Sequence, residues 1–488
     1  MGVIQRQGIK NAIFSYLGII IGFVNLLIIQ PNFLTKEEVG LVRLLFAFCG
    51  LVATFLPLGI NSVTTRYFPH FRNAETRHYG YFGFILIFPL IGLAIFSLLM
   101  WIFKPAIIAY YIDKSALFTT YFNCLLPFIF ILGVTSILYT YAFALLKTTV
   151  PSFLSDPFLK GCLILLTLGY YYQWYDLDHY VYCIIGLHAV ILMLVLAYIY
   201  YEDRPGLKID FGHLKKQGLT GMMKYGLLLS ISALAGLGLK YMDAIMLAHY
   251  QPLEIVGIYA VAALVPTVIE APLYALDKIA SSRIAYAYAS GDMEEIKSIY
   301  YKSSQYLLLL GGLLFLGINI NILYIYELTA KDFSSGINVV LIISIGTLIN
   351  MATGVNDAVL FNSKKYIYGT YLLLMLLTLA IINNIIFIPR FGMEGAALAT
   401  VLSSFVFNTV KYFFIWRTFR LQPFDMKTLW TLLLIVGCFI LNLLLPSFHG
   451  AIINILFRST VISVVYLTGA YFLNIAPELH RFVPFLKK

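Results

Sequence analysis

Charge is what this chain most conspicuously lacks. Only 11% of its 488 residues are Asp, Glu, Lys or Arg, against 61% hydrophobic residues, and mean hydropathy is +0.87. So little charge cannot cover the surface of a soluble domain of this length, which excludes a water-soluble globular class and leaves an integral membrane protein. Cysteine is also scarce. The five residues, Cys49, Cys124, Cys162, Cys183 and Cys438, all fall in apolar stretches without metal-type or redox-type spacing, and they read as small apolar fillers. No G-x-x-x-x-G-K-[ST] loop is present to cradle phosphates, which disfavours an ATP-driven pump. Neither a metal nor a cofactor is expected.

Long apolar runs fill the chain instead. Spans of roughly 20 residues predict about fourteen transmembrane helices, with approximate limits 11–30, 40–62, 80–103, 117–146, 152–173, 179–201, 221–249, 254–280, 299–325, 335–362, 366–388, 395–417, 428–446 and 450–474. The first has no small-residue cleavage pattern after it and reads as a retained helix. The fold class is thus an all-α polytopic membrane protein. Connections are short. The longest, 202–220, is polar and basic.

Basic residues set the orientation, because cytoplasmic loops carry the excess. With the N-terminus inside, the outer loops keep only Lys36, Lys104, Lys114, Lys331 and Arg390. The cytoplasmic loops and helix ends gather most of the others, from Arg6 and Lys10 through Arg72, Arg77, Lys208, Lys215 and Lys216 to Arg481, Lys487 and Lys488. Both termini are expected in the cytoplasm. The same asymmetry accounts for most of the +10 net charge, so nucleic-acid binding need not be invoked. Tyrosine and phenylalanine are abundant, 36 and 38 residues, and "GYYYQWYDLDHYVYC" (169–183) reads as an interfacial aromatic belt.

An internal repeat is visible. "KEEVG" (36–40) matches "LEIVG" (253–257), "TTR" (64–66) matches "SSR" (281–283), and Lys147 matches Lys364, all at an offset of 217 residues. An even number of helices separates the mates, so two parallel six-helix repeats are expected, with two helices added after them. The expected division is 1–201, a cytoplasmic linker 202–220, 221–418, and 419–488 with a cytoplasmic tail.

"DAIMLAHYQPLEIVGIYAVAALVP" (243–266), "SSRIAYAYASGDMEE" (281–295) and "IPRFGMEGAALATVLSS" (388–404), in this order and in a fourteen-helix context, resemble the polysaccharide exporters of the multidrug/oligosaccharidyl-lipid/polysaccharide flippase superfamily. The resemblance spans essentially the whole chain. It implies a two-lobed, V-shaped carrier that moves an undecaprenyl-diphosphate-linked oligosaccharide from the inner to the outer leaflet of a bacterial plasma membrane by alternating access. It implies membrane lipids as partners, a coupling ion (Na⁺ or H⁺) and a glycan polymerase as further partners, and a lipid-tail groove formed with the last two helices.

The residues can be weighed on their own physics. A charge at mid-bilayer costs about 2.5–3.5 kcal/mol on insertion scales, so it marks a pair, a pathway or a wet cavity. Arg43, Lys240 and Arg458 are the candidates for contact with a diphosphate. Arg43 and Arg458 have snorkelling to headgroups as the alternative. Arg43 has Ala260 as its repeat mate and is peculiar to the first half. Asp243 stands within reach of Lys240 at i, i+3, either as its structural partner or as a second cavity group. Arg66 and Arg283, repeat mates at cytoplasmic helix ends, are gate candidates with Asn61, Asp277 and Lys278, or else lipid anchors. Glu270 and Asp357 are isolated acids that read as ion-coupling groups or as structural hydrogen-bond acceptors. Asp156 and Lys160 are spaced for an i, i+4 pair. Pro57, Pro89, Pro127, Pro266 and Pro272 lie within or near spans, and the last two flank Glu270, marking a hinge there.

Two other classes compete with the flippase. A Na⁺- or H⁺-coupled multidrug extruder would favour an acid-lined cavity, against which the three basic candidates count. A membrane glycosyltransferase or glycan polymerase commonly needs a long outer loop, and every outer loop here is short. Neither the flippase nor the extruder is an enzyme.

Overall fold

A computed structural model of the chain describes residues 3–73 and 75–475, apart from the side chains of 3–9, 12, 231–235 and 331. Arg6, Arg481, Lys487 and Lys488, counted above on the cytoplasmic side, and the tail 476–488 lie outside that description. Among the described residues every regular element is helical. The chain is all-α and polytopic.

The spans are α1 (3–33), α2 (36–67), α3 (Tyr81–Tyr111), α4 (Phe122–Ala144), α5 (Thr149–Tyr171), α6 (Leu177–Asp203), α7 (Leu219–Tyr250), α8 (253–290), α9 (293–329), α10 (337–361), α11 (366–391), α12 (393–419), α13 (Met426–Leu443) and α14 (Ala451–Phe472). Nine described helices are long and apolar enough to cross a membrane, or eleven if each of two bent pairs is one span. Counting 366–419, which reverses its path at Gly392 (φ 57, ψ −129), as two spans and adding the broken α2 and the 32-residue α7 restores the expected fourteen.

Interruptions, not ends, distinguish these helices. α2 unwinds over 54–59, where Leu58 (φ 48) and Gly59 (φ 82) are left-handed, just after Pro57. Gly59 is required there: a Cβ would lie 2.1 Å from the carbonyl oxygen of Gly226 on α7. α8 bends by 47° between Leu264 and Thr267, at the expected Pro266 hinge. α10 breaks after Ala352 at Gly354 (φ 63), and serines from α9 satisfy the opened backbone: Ser304 Oγ donates to the Ala352 carbonyl, and Ser303 Oγ accepts from the Val355 N–H at 3.2 Å. Single π-turns lie in α1 (Asn25–Ile29) and α5 (Leu154–Phe158).

Helix starts follow their capping chemistry. Thr35 and Glu38 form a capping box at α2, and Asp425 and Thr428 form another at α13. Asp176 caps α6, accepting the His179 N–H at 2.9 Å and contacting the His179 ring at 2.6 Å. Those bonds hold its carboxyl below the usual carboxylate range. A depressed acid stabilises above its unfolded-state pKa, so this cap works at neutral pH and fades as pH falls through the lowered value.

Contacts divide the chain into two compact units, Met1–Gly257 and Ile258–Lys488. In the first, apolar side chains of α2, α3, α4 and α6, among them Ile60, Tyr81, Tyr141 and Val195, form one core with Phe68 just past the end of α2. In the second, the core draws on α8, α9, α10, α13 and α14 through Ile284, Leu308, Met351, Ile435 and Tyr466. Residues 221–250, which the 217-residue offset assigns to the second repeat, pack on α2 within the first unit. The repeat mates Gly40 and Gly257 touch backbone to backbone: a Cβ on Gly40 would sit 1.9 Å from the Leu253 carbonyl oxygen, and one on Gly257 2.1 Å from that of Lys36.

The linker is strapped to the first unit. Arg77, His78, Tyr79 and Gly80 run at φ 48, 58, 54 and 70, a left-handed turn that costs about 1–2 kcal/mol at each of its non-glycine residues. Side chains and backbone offset that cost. His78 Nε2 lies 2.7 Å from Asp203 Oδ1, Tyr141 OH donates to Asp203 Oδ2 at 2.7 Å, and the Asn73 N–H donates to His78 Nδ1 at 3.0 Å. Across the turn, the Asp210 N–H donates to the Tyr79 carbonyl at 3.1 Å, and Tyr79 stacks on His213 with centroids 3.8 Å apart.

Candidate functional site

In the first unit, the α2–α7 pair carries the basic candidates. Gly50 meets the Tyr241 ring of α7, and Gly40 meets Leu253 at the start of α8, so Arg43 lies on α2 at a level between these contacts. Arg43 is half-buried. Lys240, on α7, is exposed with its ammonium 5.3 Å from the Tyr241 ring centroid, and Asp243 follows one turn later, half-buried. An exposed lysine this far inside an apolar helix needs water beside it or a route to the headgroups.

Below the break in α2, Asn61 donates to Ser136 of α4 at 3.2 Å, while its buried side-chain oxygen has no hydrogen-bond partner among the described residues. Arg66, at the basic end of α2, lies over the Tyr225 ring of α7 at 4.5 Å. In α5 the Asp156–Lys160 pair forms at 3.0 Å, as its spacing predicts, and lies against Gly18 and Gly22 of α1.

In the second unit, polar side chains pair in rungs along α8 and α10. Asn350 Nδ2 donates to Glu270 Oε1 at 3.3 Å, and Tyr274 OH donates to Glu270 Oε2 at 2.9 Å. Asp277 lies within electrostatic reach of Asp357 and Lys411. Asn362 Nδ2 donates to Ser281 Oγ at 2.9 Å. Residues 270, 274, 277 and 281 repeat at helical spacing, so they share one face over about 16 Å of helix. Lys411 of α12 reaches Asp357 Oδ1 at 2.8 Å and lies 4.3 Å from the Phe407 centroid; its side chain is 1% exposed, whereas that of Asp357 is 53% exposed. A half-exposed carboxylate within spanning helices would be expensive against lipid, so this face borders water. With both aspartates ionised, the Asp277–Asp357–Lys411 group carries one net negative charge. One proton or one monovalent cation would neutralise it.

The structure thus joins Asp277, named as a gate residue, with Asp357, named for ion coupling. Glu270 stands two turns from Asp277 with both oxygens bonded. Lys278 is exposed on α8, and Arg283 is paired with Glu295 at 3.2 Å. Arg458 is placed differently from the other cations. Buried to 6% exposure, it donates to the Asn442 side chain and carbonyl, the Leu445 and Pro446 carbonyls and Ser447 Oγ, closing the turn between α13 and α14. Sequence reasoning missed Lys411 and the amides Asn350 and Asn362. The available signal for Lys411 was the one used for Lys240, a lone lysine inside an apolar run.

The sequence profile of the family described as "polysaccharide biosynthesis protein" matches residues 6–271. The chain belongs to that family. A relative, an uncharacterized membrane protein of Methanocaldococcus jannaschii, is 23% identical over 468 residues, covering 92% of this chain and 90% of its own. Among solved structures, the lipid II flippase MurJ in an inward closed conformation superposes with a TM-score of 0.72 at 14% identity, over 96% of this chain and 98% of that one. An inward-facing multidrug resistance MATE transporter of the MOP superfamily gives 0.63 at 15% identity, over 86% and 95%. At these identities the two structures establish a shared fold. The family, the apolar spans and the shared fold together make the chain a multi-pass membrane protein of the polysaccharide biosynthesis family.

Proposed function

We propose that this polysaccharide biosynthesis family member flips an undecaprenyl-diphosphate-linked oligosaccharide from the cytoplasmic to the outer leaflet of the plasma membrane by alternating access, as a transporter and not an enzyme. The observation that carries the reading is the pair of membrane-embedded cations Arg43 and Lys240 on the packed helices α2 and α7. A diphosphate crossing an apolar barrier needs such cations in a wet surface, since charge-assisted bonds to phosphate replace its lost water. Asp243, one turn from Lys240, would hold the ammonium when no phosphate is present and release it when one arrives.

Both termini are assigned to the cytoplasm on the distribution of Lys and Arg. Asn61 with Arg66, and Asp277 with Lys278 and Arg283, serve as gate groups in their respective units. The α8–α10 ladder, with Glu270 and the Asp277–Asp357–Lys411 group, serves as the coupling element for H⁺ or Na⁺. Arg458 is reassigned from the substrate to the fold, because its donors close a turn. Delivery of a lipid-linked repeat unit to the outer leaflet calls for a glycan polymerase as the consuming partner, with O-antigen, capsule or exopolysaccharide as the product class.

The acid ladder also favours a second reading, a cation-coupled multidrug extruder on the same fold, since carboxylates on a wet face suit cationic drugs. Binding by purified protein in lipid nanodiscs separates the two. The flippase reading expects an undecaprenyl-diphosphate glycan to bind and both Arg43→Ala and Lys240→Ala to weaken it by about tenfold or more, the loss of one or more charge-assisted phosphate contacts. Binding of a cationic drug that depends on Glu270 or Asp277, with no diphosphate binding, would move the protein to the extruder branch.

A further inference from the structure

The segment between α6 and α7 is a fixed platform whose exposed basic and apolar side chains have no partner among the described residues. It leaves α6 at Asp203, crosses the start of α3, forms a short helix over Phe211–Lys216 whose His213 meets Phe71, and enters α7 at Leu219. Three ends of spanning helices, Asp203, Tyr81 and Leu219, bracket it, so it runs at the depth of the lipid headgroups. Its backbone is pinned: Gly80 packs on the Lys208 carbonyl and Gly83 on that of Leu207, leaving no room for a Cβ at either glycine. The Asp210–Tyr79 backbone bond and the Tyr79–His213 stack fix the next turn.

What this platform presents is amphipathic. Leu214 is buried beneath it, but Leu207 and Phe211 are 57% and 54% exposed. Around them Arg204, Lys208, Lys215, Lys216 and the neighbouring Arg77 are all exposed. The nearby acids are otherwise engaged or few: Asp210 caps the short helix by accepting the His213 N–H, Glu202 pairs with Lys147, and Glu75 stands beyond the left-handed turn. Apolar side chains next to lysines at headgroup depth match one environment, in which the rings and branched chains meet the acyl boundary and the ammonium groups meet anionic phosphates. Because the platform is held by the first unit, it is ordered before any lipid arrives and pays little ordering entropy on binding.

We propose that this strap is a preformed binding surface for anionic phospholipid of the leaflet on the basic side of the protein, with Lys208, Lys215 and Lys216 as the headgroup contacts and Leu207 and Phe211 as the acyl contacts. The proposal does not depend on the transported substrate, and a nanodisc presents both leaflets, so it does not depend on the orientation either.

The test uses the full chain in nanodiscs of phosphatidylcholine with a graded fraction of phosphatidylglycerol. Retained lipids are counted by native mass spectrometry, and amide exchange is followed over 207–216. Wild-type protein should retain phosphatidylglycerol over phosphatidylcholine and show slower exchange in 207–216 as the anionic fraction rises. The Lys208→Gln/Lys215→Gln/Lys216→Gln variant changes only exposed side chains, and it should lose the preference by about fivefold while keeping its elution profile. Leu207→Ser/Phe211→Ser should lose retention of both lipids at the strap. An unchanged phosphatidylglycerol preference in the lysine variant would overturn the proposal. So would displacement of phosphatidylglycerol from the strap by equimolar undecaprenyl diphosphate, which would make it a substrate-docking surface instead.

Discussion

The Asp357–Lys411 pair makes an asymmetric prediction, because its two halves are buried to opposite degrees. The ammonium is 1% exposed and the carboxylate 53%, at 2.8 Å. Removing one partner of a fully buried pair costs about 3–5 kcal/mol, since the other charge is stranded. Asp357→Asn strands the buried side. The amide can still accept a bond from Lys411, and the Phe407 ring at 4.3 Å still offers about 0.5–2 kcal/mol, which leaves an expected loss of about 2–3 kcal/mol. Lys411→Met strands only a carboxylate already half in water, and it fills the same volume with apolar atoms. Its expected loss is within about 1 kcal/mol, as for an exposed pair. The double variant should sit near Lys411→Met alone, so the two changes are non-additive by about the full cost of Asp357→Asn. Steric-trap unfolding in bicelles measures each free energy. A Lys411→Met loss equal to or greater than that of Asp357→Asn would show instead that the carboxylate and not the ammonium is the group that depends on the pair.

Other perturbations follow from contacts of the same kind. Gly40→Ala places a Cβ 1.9 Å from the Leu253 carbonyl, and the backbone shift it forces should cost about 2 kcal/mol or more. Gly161→Ala, with nothing within 4 Å among the described residues, should be neutral or slightly stabilising through helix propensity; equal thermal midpoints for the two would contradict the close approach. Arg458→Ala removes the donors that serve the carbonyls of Asn442, Leu445 and Pro446. At about 1–3 kcal/mol for each buried group left unpaired, it should lower folded yield sharply, whereas a purely substrate-binding arginine would leave yield unchanged. His78→Ala frees one oxygen of Asp203 and releases the left-handed turn. It should cost about 2 kcal/mol and speed amide exchange across 204–216; unchanged exchange would show that the strap is held without it.

Much of the architecture was legible because it is written in run length. Apolar stretches give the spans directly, and the 217-residue offset marked Gly40 and Gly257, which the structure brings into backbone contact. The break in α2 had Pro57 beside it in the sequence, whereas that in α10 falls at Thr353–Gly354, too short an interruption to divide the expected 335–362 span; the backbone turns left-handed at Leu58, Gly59 and Gly354. Pro266 was a readable hinge because proline states its backbone constraint in its own identity. The site was legible by residue type and not by pairing. Glu270 and Asp357 stood out as lone acids, but their partners Asn350 and Lys411 lie 80 and 54 residues away on other helices. Arg458 looked the same in sequence as Lys240, a cation in an apolar run. Only the carbonyls converging on its guanidinium separate a helix-turn closure from a substrate contact.

Arg43 and Lys240 are the groups proposed to carry a lipid diphosphate across the membrane. The direct measurement is translocation in proteoliposomes, following the exposure of undecaprenyl-diphosphate-linked N-acetylglucosamine to an impermeant glycan-binding probe added outside. Wild-type protein should accelerate exposure well above protein-free vesicles, and Arg43→Ala and Lys240→Ala, reconstituted to the same level with unchanged thermal midpoints, should fall to the protein-free rate. Wild-type protein that leaves the rate at background, or variants that translocate as fast as wild type, would contradict the account.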